Sequence, residues 1–553
     1  MLLEVDQPGY ADARDFLALF AELEKAPEHV HFYRITPISV WNAAAAGLEL
    51  ELLLAGLVAR SRFPLPSALE GEIRGWFERY GLVRLEREDG ALWLRSPDST
   101  LLRELARAAD VAPLITTADG GCRVAEQSRG AVKRALIRLG YPVDDLAGFR
   151  AGARLEHYAL RERTLSGNPF VLRHYQREAA RVFWAGGAAR GGSGVIVLPC
   201  GAGKTIVALA AMDLLRTQTL VLTTNTVAVR QWRRELLDKT TLTEDDVGEY
   251  TGDSKRVCPV TVATYQILTY RRAKQDPFEH FALFSERDWG LIVYDEVHLL
   301  PAPVFRATAE IQARRRLGLT ATLIREDGQE SDVFSLIGPK RYDVPWKELE
   351  TRGYIAEAHC IEVRVAMPRD EERAYRDAPA RSAFKLASTN SRKLDIVGQL
   401  LARHPGDRVL IIGQYLDQLA ALADRFGVPL ITGRTRTAAR ERLYAQFRDG
   451  AITQLAVSKV GNFAVDLPDA NIAIQISGAF GSRQEEAQRL GRILRPKAGG
   501  GGAIFYAVVS AGTRDQDFAS KRQRFLAEQG YTYEIRDLPP VDWSEDGMVR
   551  GDA

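Results

Sequence analysis

Cysteine is scarce in this chain, and the few that occur lie far apart. Among 553 residues there are four, at Cys122, Cys200, Cys258 and Cys360. No two of them have the spacing of a zinc or iron–sulfur site, and their separation argues against a disulfide framework. The sequence therefore disfavours an iron–sulfur enzyme and predicts a protein of a reducing compartment, which we expect to be the cytoplasm.

Long apolar runs are also missing. No run approaches the roughly 20 residues that a helix needs to cross a membrane. The first residues, MLLEVDQPGYADARDF, carry acids where a signal peptide would carry basic residues and an apolar core. We therefore expect neither a membrane span nor an export signal.

Excess charge of either sign is absent too, since the formal net charge is only +2. This value leaves nucleic-acid binding open, because many nucleic-acid enzymes concentrate Lys and Arg along one groove. The hydrophobic content of 46% is ordinary for a globular protein and is enough for several cores. A chain of this length predicts roughly three or four domains.

From about residue 190 onward, short apolar runs alternate with helical stretches. Continuous Val, Ile and Leu runs of this kind are typical of parallel strands covered on both faces. The runs form a first set at 194–199, 219–224, 260–264, 290–296 and 317–322, and a second set at 408–413, 429–433, 455–459, 471–477 and 503–509. Two sets predict two doubly wound α/β domains in tandem. Between them, residues 335–395 read as a linker with inserted helices.

The first 165 residues have a different pattern. Residues 44–60 form a strongly apolar helix pattern, and residues 82–96 predict two strands joined at an Asp89-Gly90 turn. Helices followed by a hairpin predict a winged-helix-like module or another small α+β domain. Residues 111–160 predict a second small α+β unit that contains a helix at 128–140.

A phosphate-binding loop follows the first strand, in LPCGAGKTIVALAAMDLL at 198–215. A strand, a glycine-bearing turn, Lys and Thr, and then a helix are the features of such a loop. Gly201-Ala202-Gly203 lets the backbone amides converge on phosphate oxygens. Lys204 adds a positive charge at the β- and γ-phosphates, and the Thr205 hydroxyl can bind Mg²⁺. The general pattern has glycine at position 198, where this chain has leucine.

Two residues upstream are candidates for recognising the base. A glutamine amide can pair with both a donor and an acceptor of adenine, so Gln176 would favour ATP. Arg173 could pack beside the base.

An acidic pair follows the strand at 290–294. Asp295 is predicted to hold Mg²⁺, and Glu296 to orient and deprotonate the attacking water. His298 is a candidate for coupling nucleotide state to Thr320 and Thr322, which end the next strand.

The second set of strands is followed by SRQEEAQRLGRILRPK at 482–497. Helical spacing brings Gln488, Arg492 and Arg495 to one face or its edge. An arginine that reaches across a cleft can neutralise charge on the transferring phosphoryl group. Hydrolysis would then depend on domain closure. Asp466 could bond the ribose or these arginines.

Hydroxyl, amide and basic residues at strand ends are candidates for DNA backbone contacts, which carry no sequence information. The first domain offers Thr224, Asn225, Arg230, Thr251, Gly252 and Thr264, and the second offers Gly433, Arg434, Ser458 and Lys459.

Taken in order, these motifs resemble one family. The strings LPCGAGKT, DEVHLLPAPVF, RRRLGLTATLIREDG and SRQEEAQRLGRILRPK are similar to the XPB family of superfamily 2 DNA helicases, in its bacterial form. Residues 2–48 and the tail at 521–535 are similar too, so the resemblance covers nearly the whole chain. It implies two RecA-like domains and an ATP-dependent 3′-to-5′ DNA helicase that uses ATP and Mg²⁺, in DNA repair.

The resemblance implies further roles and boundaries. Arg325-Glu326-Asp327 matches a motif implied in gripping and opening DNA, and a thumb-like insertion is expected near 366–392. The expected domains are 1–110 (N-terminal, winged-helix-like), 111–165 (a small module like a damage-recognition unit), 166–345 (first helicase domain, ATP-binding) and 346–553 (second helicase domain).

Other functions remain open at this point. The same residues would serve a duplex DNA translocase or remodeller that does not separate strands. A third reading is a damage-binding module with a vestigial ATPase fold, which intact Lys204, Asp295, Glu296 and Arg492 argue against. The expected partner is single-stranded, duplex or forked DNA, with a nuclease as a candidate protein partner. We expect a monomer in the cytoplasm, associated with the nucleoid.

Overall fold

The structure is a computed structural model, and the described residues form two compact units. The first contains Met1, 8–22 and 33–345, and the second contains 2–7, 23–32 and 346–553. The residues described are 1–25, 29–188, 191–199, 201–272, 278–301, 303–304, 308, 314–321, 330–344, 349, 352–354, 358–458, 470–478, 503–528 and 532–537.

The strands are short and numerous. In chain order they are β1 (Leu2–Glu4), β2 (Glu22–Lys25), β3 (Val30–Arg34), β4 (Val83–Glu88), β5 (Ala91–Arg95), β6 (Ile115–Ala118), β7 (Gly121–Val124), β8 (Val143–Asp145), β9 (Ser193–Val197), β10 (Thr219–Thr223), β11 (Val247–Tyr250), β12 (Val260–Thr264), β13 (Leu291–Asp295), β14 (Arg315–Thr320), β15 (Lys340–Asp343), β16 (Ala358–Val365), β17 (Val409–Gly413), β18 (Leu430–Ile431), β19 (Gln454–Ser458), β20 (Ile472–Gln475), β21 (Ala503–Ser510) and β22 (Thr532–Asp537).

Helices connect most of these strands. The α-helices are Tyr10–Leu17, Pro37–Ala45, Leu50–Arg60, Ser67–Arg79, Ser99–Arg107, Arg129–Arg138, His174–Trp184, Lys204–Leu215, Thr226–Lys239, Tyr265–Leu268, Leu283–Glu286, Glu330–Asp332, Arg369–Asp377, Ala380–Ser388, Arg392–Arg403, Leu416–Phe426, Thr437–Arg448 and Arg514–Glu528. Throughout the described ranges, no helix combines the length and the apolar character that crossing a membrane requires.

The first unit contains a seven-stranded sheet in the order β11-β12-β10-β13-β14-β9-β15. Every neighbouring pair in it is parallel. β10 and β12 are buried at every position, so both faces of the sheet are covered. This explains why their residues form continuous apolar runs rather than alternating ones. All five strands predicted for the first domain are confirmed.

The second unit has the same architecture, with a sheet in the order β18-β19-β17-β20-β21-β16-β22. Its neighbouring strands also pair in parallel. All five strands predicted for the second domain are present, β18 being only two residues long. The prediction of two doubly wound parallel-sheet domains is thus confirmed.

The interpretation of residues 335–395 as linker plus helices was incomplete. β15 pairs with β9 at the edge of the first sheet, and β16 lies between β21 and β22 in the second. β16 escaped notice because charged residues interrupt its apolar pattern. One of them, Glu362, is buried, where it accepts hydrogen bonds from Arg364 (2.7 Å) and Tyr533 (2.6 Å).

The remainder of that stretch is helical. Arg369–Asp377 and Ala380–Ser388 occupy most of 366–392, the range expected to hold a thumb-like insertion. The first of these helices has no buried residue. In the second, Phe384 packs edge-on against Phe518, with 4.9 Å between the two ring centroids. The thumb-like role of the pair stays a prediction.

The N-terminal region differs from its prediction in one helix. The apolar stretch 44–60 is divided between Pro37–Ala45 and Leu50–Arg60, because Gly47 has a φ of +90°, which breaks the helix. The predicted hairpin is confirmed: β4 and β5 pair antiparallel up to Glu88 and Ala91.

A five-stranded sheet in the order β6-β7-β5-β4-β8 holds this hairpin. It runs across the expected domain boundary at residue 110, so the hairpin and the following module share one sheet. The helix Arg129–Arg138 packs on it and confirms the helix predicted at 128–140.

A buried charge cluster joins this sheet to the parallel sheet of the first unit. Asp145 accepts hydrogen bonds from Arg129 (2.7 Å) and Lys133 (3.0 Å). The guanidinium groups of Arg129 and of Arg316, in β14, lie 5.3 Å and 5.2 Å from the centroid of the Phe149 ring. The two modules therefore meet through charged groups that are withdrawn from water.

Burial and neighbouring charges change the ionisation of this cluster. Burial lowers the pKa of Lys133 to about 8 and that of Arg316 to about 10. Burial alone would raise the pKa of Asp145, but the positive charges of Lys133 and Arg129 hold it well below its ordinary value. Asp145 is thus an anion that compensates the buried cations Arg129 and Lys133.

We predict that Asp145→Asn strongly destabilises the first unit. It removes the carboxylate that accepts hydrogen bonds from buried Arg129 and Lys133, and removing one partner of a buried ion pair typically costs about 3–5 kcal/mol. Urea denaturation of the full chain, followed by circular dichroism, would measure the loss. Asp119→Asn, in an exposed turn, is the matched control. Equal urea midpoints for the two variants would contradict the compensating role of Asp145.

Candidate active site

The phosphate-binding loop lies between β9 and the helix Lys204–Leu215. Gly201 and Gly203 have φ values of +81° and +83°, which favour glycine and turn the chain sharply into the helix. The helix begins at Lys204, so its first amide N–H groups and the positive end of its dipole face the loop. This backbone arrangement suits a bound phosphate.

The segment predicted to read adenine packs against the loop. Tyr175 Oη and Gln176 Nε2 both donate to the carbonyl of Ala202, at 2.7 Å and 3.1 Å. Arg173 in turn donates to Tyr175 Oη at 3.1 Å. Glycine is favoured at position 203 because of its positive φ, and a Cβ atom there would also lie 2.6 Å from Gln176 Nε2.

Gln176 also accepts a hydrogen bond at Oε1 from the backbone N–H of Arg173, at 3.1 Å. Among the described residues, its amide therefore has one hydrogen-bond partner at each end, the Arg173 N–H at the oxygen and the Ala202 carbonyl at the nitrogen. An amide nitrogen carries two hydrogens and its oxygen two lone pairs, so each end can still bind one further group. The recognition of adenine by Gln176 and Arg173 stays a prediction.

The acidic pair lies beside the loop. Lys204 Nζ is 3.4 Å from Glu296 Oε1, and the two side chains are 12% and 11% exposed. Glu296 has φ 52° and ψ 54°, a left-handed conformation that costs energy for a residue other than glycine. Such strain is typical of functional sites, and here it directs the carboxylate towards the loop.

Glu296 has a second neighbour in the same region. His298 Nδ1 lies 3.6 Å from Glu296 Oε2 and 2.6 Å from the hydroxyl of Thr320, at the end of β14. Over the described part of the chain, Oε2 is buried without a hydrogen-bond donor. A buried carboxylate oxygen of this kind suits the water molecule that a general base must hold. The geometry thus brings together the predicted base and two of the predicted coupling residues.

Asp295, the predicted metal ligand, is held by two aromatic residues that sequence reasoning did not find. Trp232 Nε1 donates to Asp295 Oδ2 at 2.8 Å, and Tyr265 Oη donates to the Asp295 carbonyl at 2.9 Å. The sequence signals were weak, because buried aromatic residues on helices are usually part of a core.

The carboxylate of Asp295 and the hydroxyl of Thr205 are hard oxygen donors, the type that Mg²⁺ prefers. Thr205 is the second residue of the loop helix, and Asp295 ends β13. The donor chemistry at this sheet edge therefore fits a magnesium ion.

The DNA candidates of the first unit lie at or after the ends of β10, β11 and β12, on the same sheet edge as the loop. Asn225 caps the helix Thr226–Lys239 by accepting from Ala228 N at 2.9 Å. Thr264 caps the next helix by accepting from Ile267 N at 3.3 Å. Both side chains therefore organise the helix starts that form this edge.

The other first-unit candidates differ in accessibility. Thr251 is buried, and its hydroxyl accepts from Asp253 N at 3.2 Å, whereas Gly252 and Arg230 are exposed. Thr224 is half-buried. That these residues contact DNA stays a prediction. The Thr251 hydroxyl already accepts a hydrogen bond within its own turn.

In the second unit, Gly433 and Arg434 lie in an exposed turn after β18. Arg434 N donates to Thr432 Oγ1 at 3.2 Å, which shapes this turn. Ser458 ends β19 and is buried.

Several predicted site residues lie outside the described residues, and their roles stay predictions. They are Thr322, Arg325, Glu326, Asp327, Lys459, Asp466, Gln488, Arg492 and Arg495.

Comparison with protein families gives three matches along the chain. The model described as "ERCC3/RAD25/XPB C-terminal helicase" matches residues 349–547. "Helicase conserved C-terminal domain" matches residues 1–118, and "Type III restriction enzyme, res subunit" matches residues 169–325.

Relatives match over essentially the full length. The chain is 53% identical to "DNA 3'-5' helicase XPB" of Kineococcus radiotolerans, covering 100% of this chain and 98% of that protein. It is also 53% identical to the protein of the same name from Mycobacterium tuberculosis, covering 97% and 96%. Identity is 34% to "General transcription and DNA repair factor IIH helicase/translocase subunit XPB" of Encephalitozoon cuniculi, covering 99% and 83%.

We predict that Glu296→Gln retains ATP binding but slows hydrolysis by at least about a hundredfold, because the amide cannot accept the proton of the attacking water. Single-turnover hydrolysis and equilibrium binding of a fluorescent ATP analogue would separate the two effects. Glu156→Gln, at an exposed position of the same unit, is the control. Turnover close to that of the control would remove the proposed base.

Proposed function

The chain belongs to the XPB family of DNA helicases, and on this premise we propose that it is an ATP-dependent DNA helicase that moves 3′ to 5′. The observation that carries the catalytic part of the proposal is the 3.4 Å approach of Lys204 to Glu296, beside a glycine-turned loop at a helix start. A phosphate group bound there would meet a cation, amide N–H groups and a general base together.

In this mechanism the loop amides and Lys204 bind the β- and γ-phosphates and orient them. Thr205 and Asp295 would hold Mg²⁺, which neutralises charge on the phosphate oxygens when bound. Gln176 and Arg173 select the adenine base. The hydrogen bond from Gln176 to the carbonyl of Ala202 would make the loop conformation respond to an occupied base site.

Glu296 accepts the proton of the attacking water. Its Oε1 is fixed beside Lys204, and its Oε2 is oriented towards His298. His298 in turn contacts Thr320. We propose that this contact transmits the state of the hydrolysis site from Glu296 to Thr320. Thr322, two residues further along the chain, would take part in the same coupling.

The second helicase domain supplies the remaining catalytic charge. We assign this role to Gln488, Arg492 and Arg495 because the sequence has the order Gln-Arg-x-Gly-Arg-x-x-Arg. Asp466 would bind either these arginines or the ribose of the nucleotide. An arginine there would stabilise charge on the transferring phosphoryl group. Hydrolysis would then require the two domains to close, which converts turnover into movement.

DNA is proposed to lie along the sheet edges that carry the candidate contacts, held mostly through its phosphates. Support comes from the first unit, where the segments after β10, β11 and β12 share one edge with Asp295. Arg325-Glu326-Asp327 would help to open the duplex.

The biological setting is proposed from the family. DNA repair, a nucleoid-associated location in the cytoplasm, a monomeric chain and a nuclease partner are parts of this proposal. Residues 111–165 are its candidate damage-recognition module and 366–392 its candidate thumb.

We predict that DNA stimulates ATP hydrolysis and that a 3′-tailed duplex is unwound faster than a 5′-tailed duplex of the same sequence. Lys204→Ala should abolish both activities while DNA binding persists, because Lys204 contacts nucleotide rather than DNA. Stimulation without displacement of either strand would instead indicate a duplex translocase. Tight binding to damaged DNA without any hydrolysis would indicate a binding module.

We further predict that DNA affinity falls steeply with salt and depends little on sequence, because phosphate contacts release counterions. Titrations of one duplex at several salt concentrations, repeated with an unrelated sequence, would measure both properties. A log-affinity that did not change with log-salt would contradict backbone binding.

A further inference from the structure

Trp232 differs from other buried tryptophans of the chain in what its N–H contacts. Trp41 and Trp289 donate to backbone carbonyls, of Trp76 (2.9 Å) and Leu283 (2.8 Å). Such hydrogen bonds are common for a buried indole, which has one N–H donor and needs one acceptor. Trp232 instead donates to the carboxylate of Asp295 at 2.8 Å.

This bond restrains a side chain whose orientation matters. A carboxylate can rotate about its terminal torsion, which is broad and poorly defined by sterics alone. A directional N–H bond to Oδ2 fixes the plane of the Asp295 carboxylate. Trp232 is itself 1% exposed and has no room to move away, so it acts as a rigid support.

The helix that carries Trp232 begins at the DNA edge. Asn225 caps it, and Trp232 lies about two turns, or about 10 Å, further along the same helix. A helix of this length moves as a rigid body. A shift of residues 224–225 on DNA binding would therefore be transmitted to the indole and to Asp295.

A second connection converges on the same residue. Thr264 caps the helix Tyr265–Leu268, and Tyr265 donates to the carbonyl of Asp295 at 2.9 Å. The neighbouring Gln266 donates through Nε2 to the carbonyl of Thr224. The two segments assigned to DNA are thus joined to each other, and each sends one aromatic side chain to Asp295.

We propose that Trp232 is a positioning residue: its indole N–H orients the carboxylate of Asp295 for Mg²⁺-nucleotide and links it to the DNA-contacting segment at 224–225. This inference rests on the proposed function, since it assigns a role to the same site. It would explain how DNA binding stimulates ATP hydrolysis through contacts within the first unit alone.

The test compares Trp232→Phe with Trp289→Phe in the full chain. Both substitutions keep a buried aromatic ring and remove one indole N–H bond, so their effects on thermal stability should be similar. Binding of a fluorescent, non-hydrolysable ATP analogue is measured against Mg²⁺ concentration without DNA. The stimulation of ATPase rate by a saturating duplex is measured separately.

Trp232→Phe should raise the half-saturating Mg²⁺ concentration by about tenfold or more, as for other residues that orient a metal ligand. It should also reduce stimulation by DNA, whereas nucleotide binding without Mg²⁺ stays as in the wild type. Trp289→Phe should match the wild type in all three. An Mg²⁺ midpoint in Trp232→Phe equal to that of Trp289→Phe would overturn the positioning role.

A shifted midpoint with wild-type stimulation by DNA would overturn the link to residues 224–225. A wild-type protein that no DNA stimulates would instead refute the proposed motor, and the Mg²⁺ titrations would still report on positioning. Should Trp232→Phe fail to fold, Tyr265→Phe tests the second connection. It removes only the hydroxyl bonded to the Asp295 carbonyl. Unchanged stimulation of the ATPase rate by DNA in this variant would contradict the proposal that the DNA-contacting segments act through Asp295.

Discussion

The approach of Lys204 to Glu296 is the interaction on which the proposed chemistry depends. It exists because β9 and β13 are parallel and lie two strands apart in one sheet, so the segments that follow them emerge at the same edge. Both side chains are largely buried, which strengthens their attraction and excludes competing water. The left-handed backbone of Glu296 is the conformational cost of directing this carboxylate at the loop.

β14 connects this site to the N-terminal module. Near its start, Arg316 lies over the Phe149 ring and donates to Ser193 Oγ at 3.1 Å. At its end, Thr320 bonds His298 through its hydroxyl and accepts at its carbonyl from Leu198 N at 2.9 Å. One six-residue strand thus contacts both the buried charge cluster and the phosphate-binding loop. The N-terminal module is therefore part of the same packed unit as the candidate active site.

Asp295 occupies a comparable position between the candidate active site and the segments predicted to contact DNA. Its carboxylate is bonded by Trp232 and its carbonyl by Tyr265, and both residues lie on helices whose caps were predicted to meet DNA. The caps explain why Asn225 and Thr264 are polar whether or not they contact a phosphate. Asn225 and Thr264 therefore have a structural role and a predicted functional one. They cap the two helices at this sheet edge, and those helices carry Trp232 and Tyr265.

Much of this was readable in the sequence, because phosphate loops, acidic pairs and fully buried parallel strands use local patterns of residues. The ten apolar strands, the hairpin at Asp89-Gly90 and the positions of Lys204 and Glu296 after strands of the same sheet followed from such patterns. Strands with internal charge did not, since buried Glu362 in β16 depends on a hydrogen bond from Tyr533, which lies far away in sequence. The bonds of Trp232 to Asp295 and of Asp145 to Arg129 and Lys133 were likewise decided by packing. Which buried donor meets which acceptor depends on how helices cross the sheets, and no local sequence pattern specifies that.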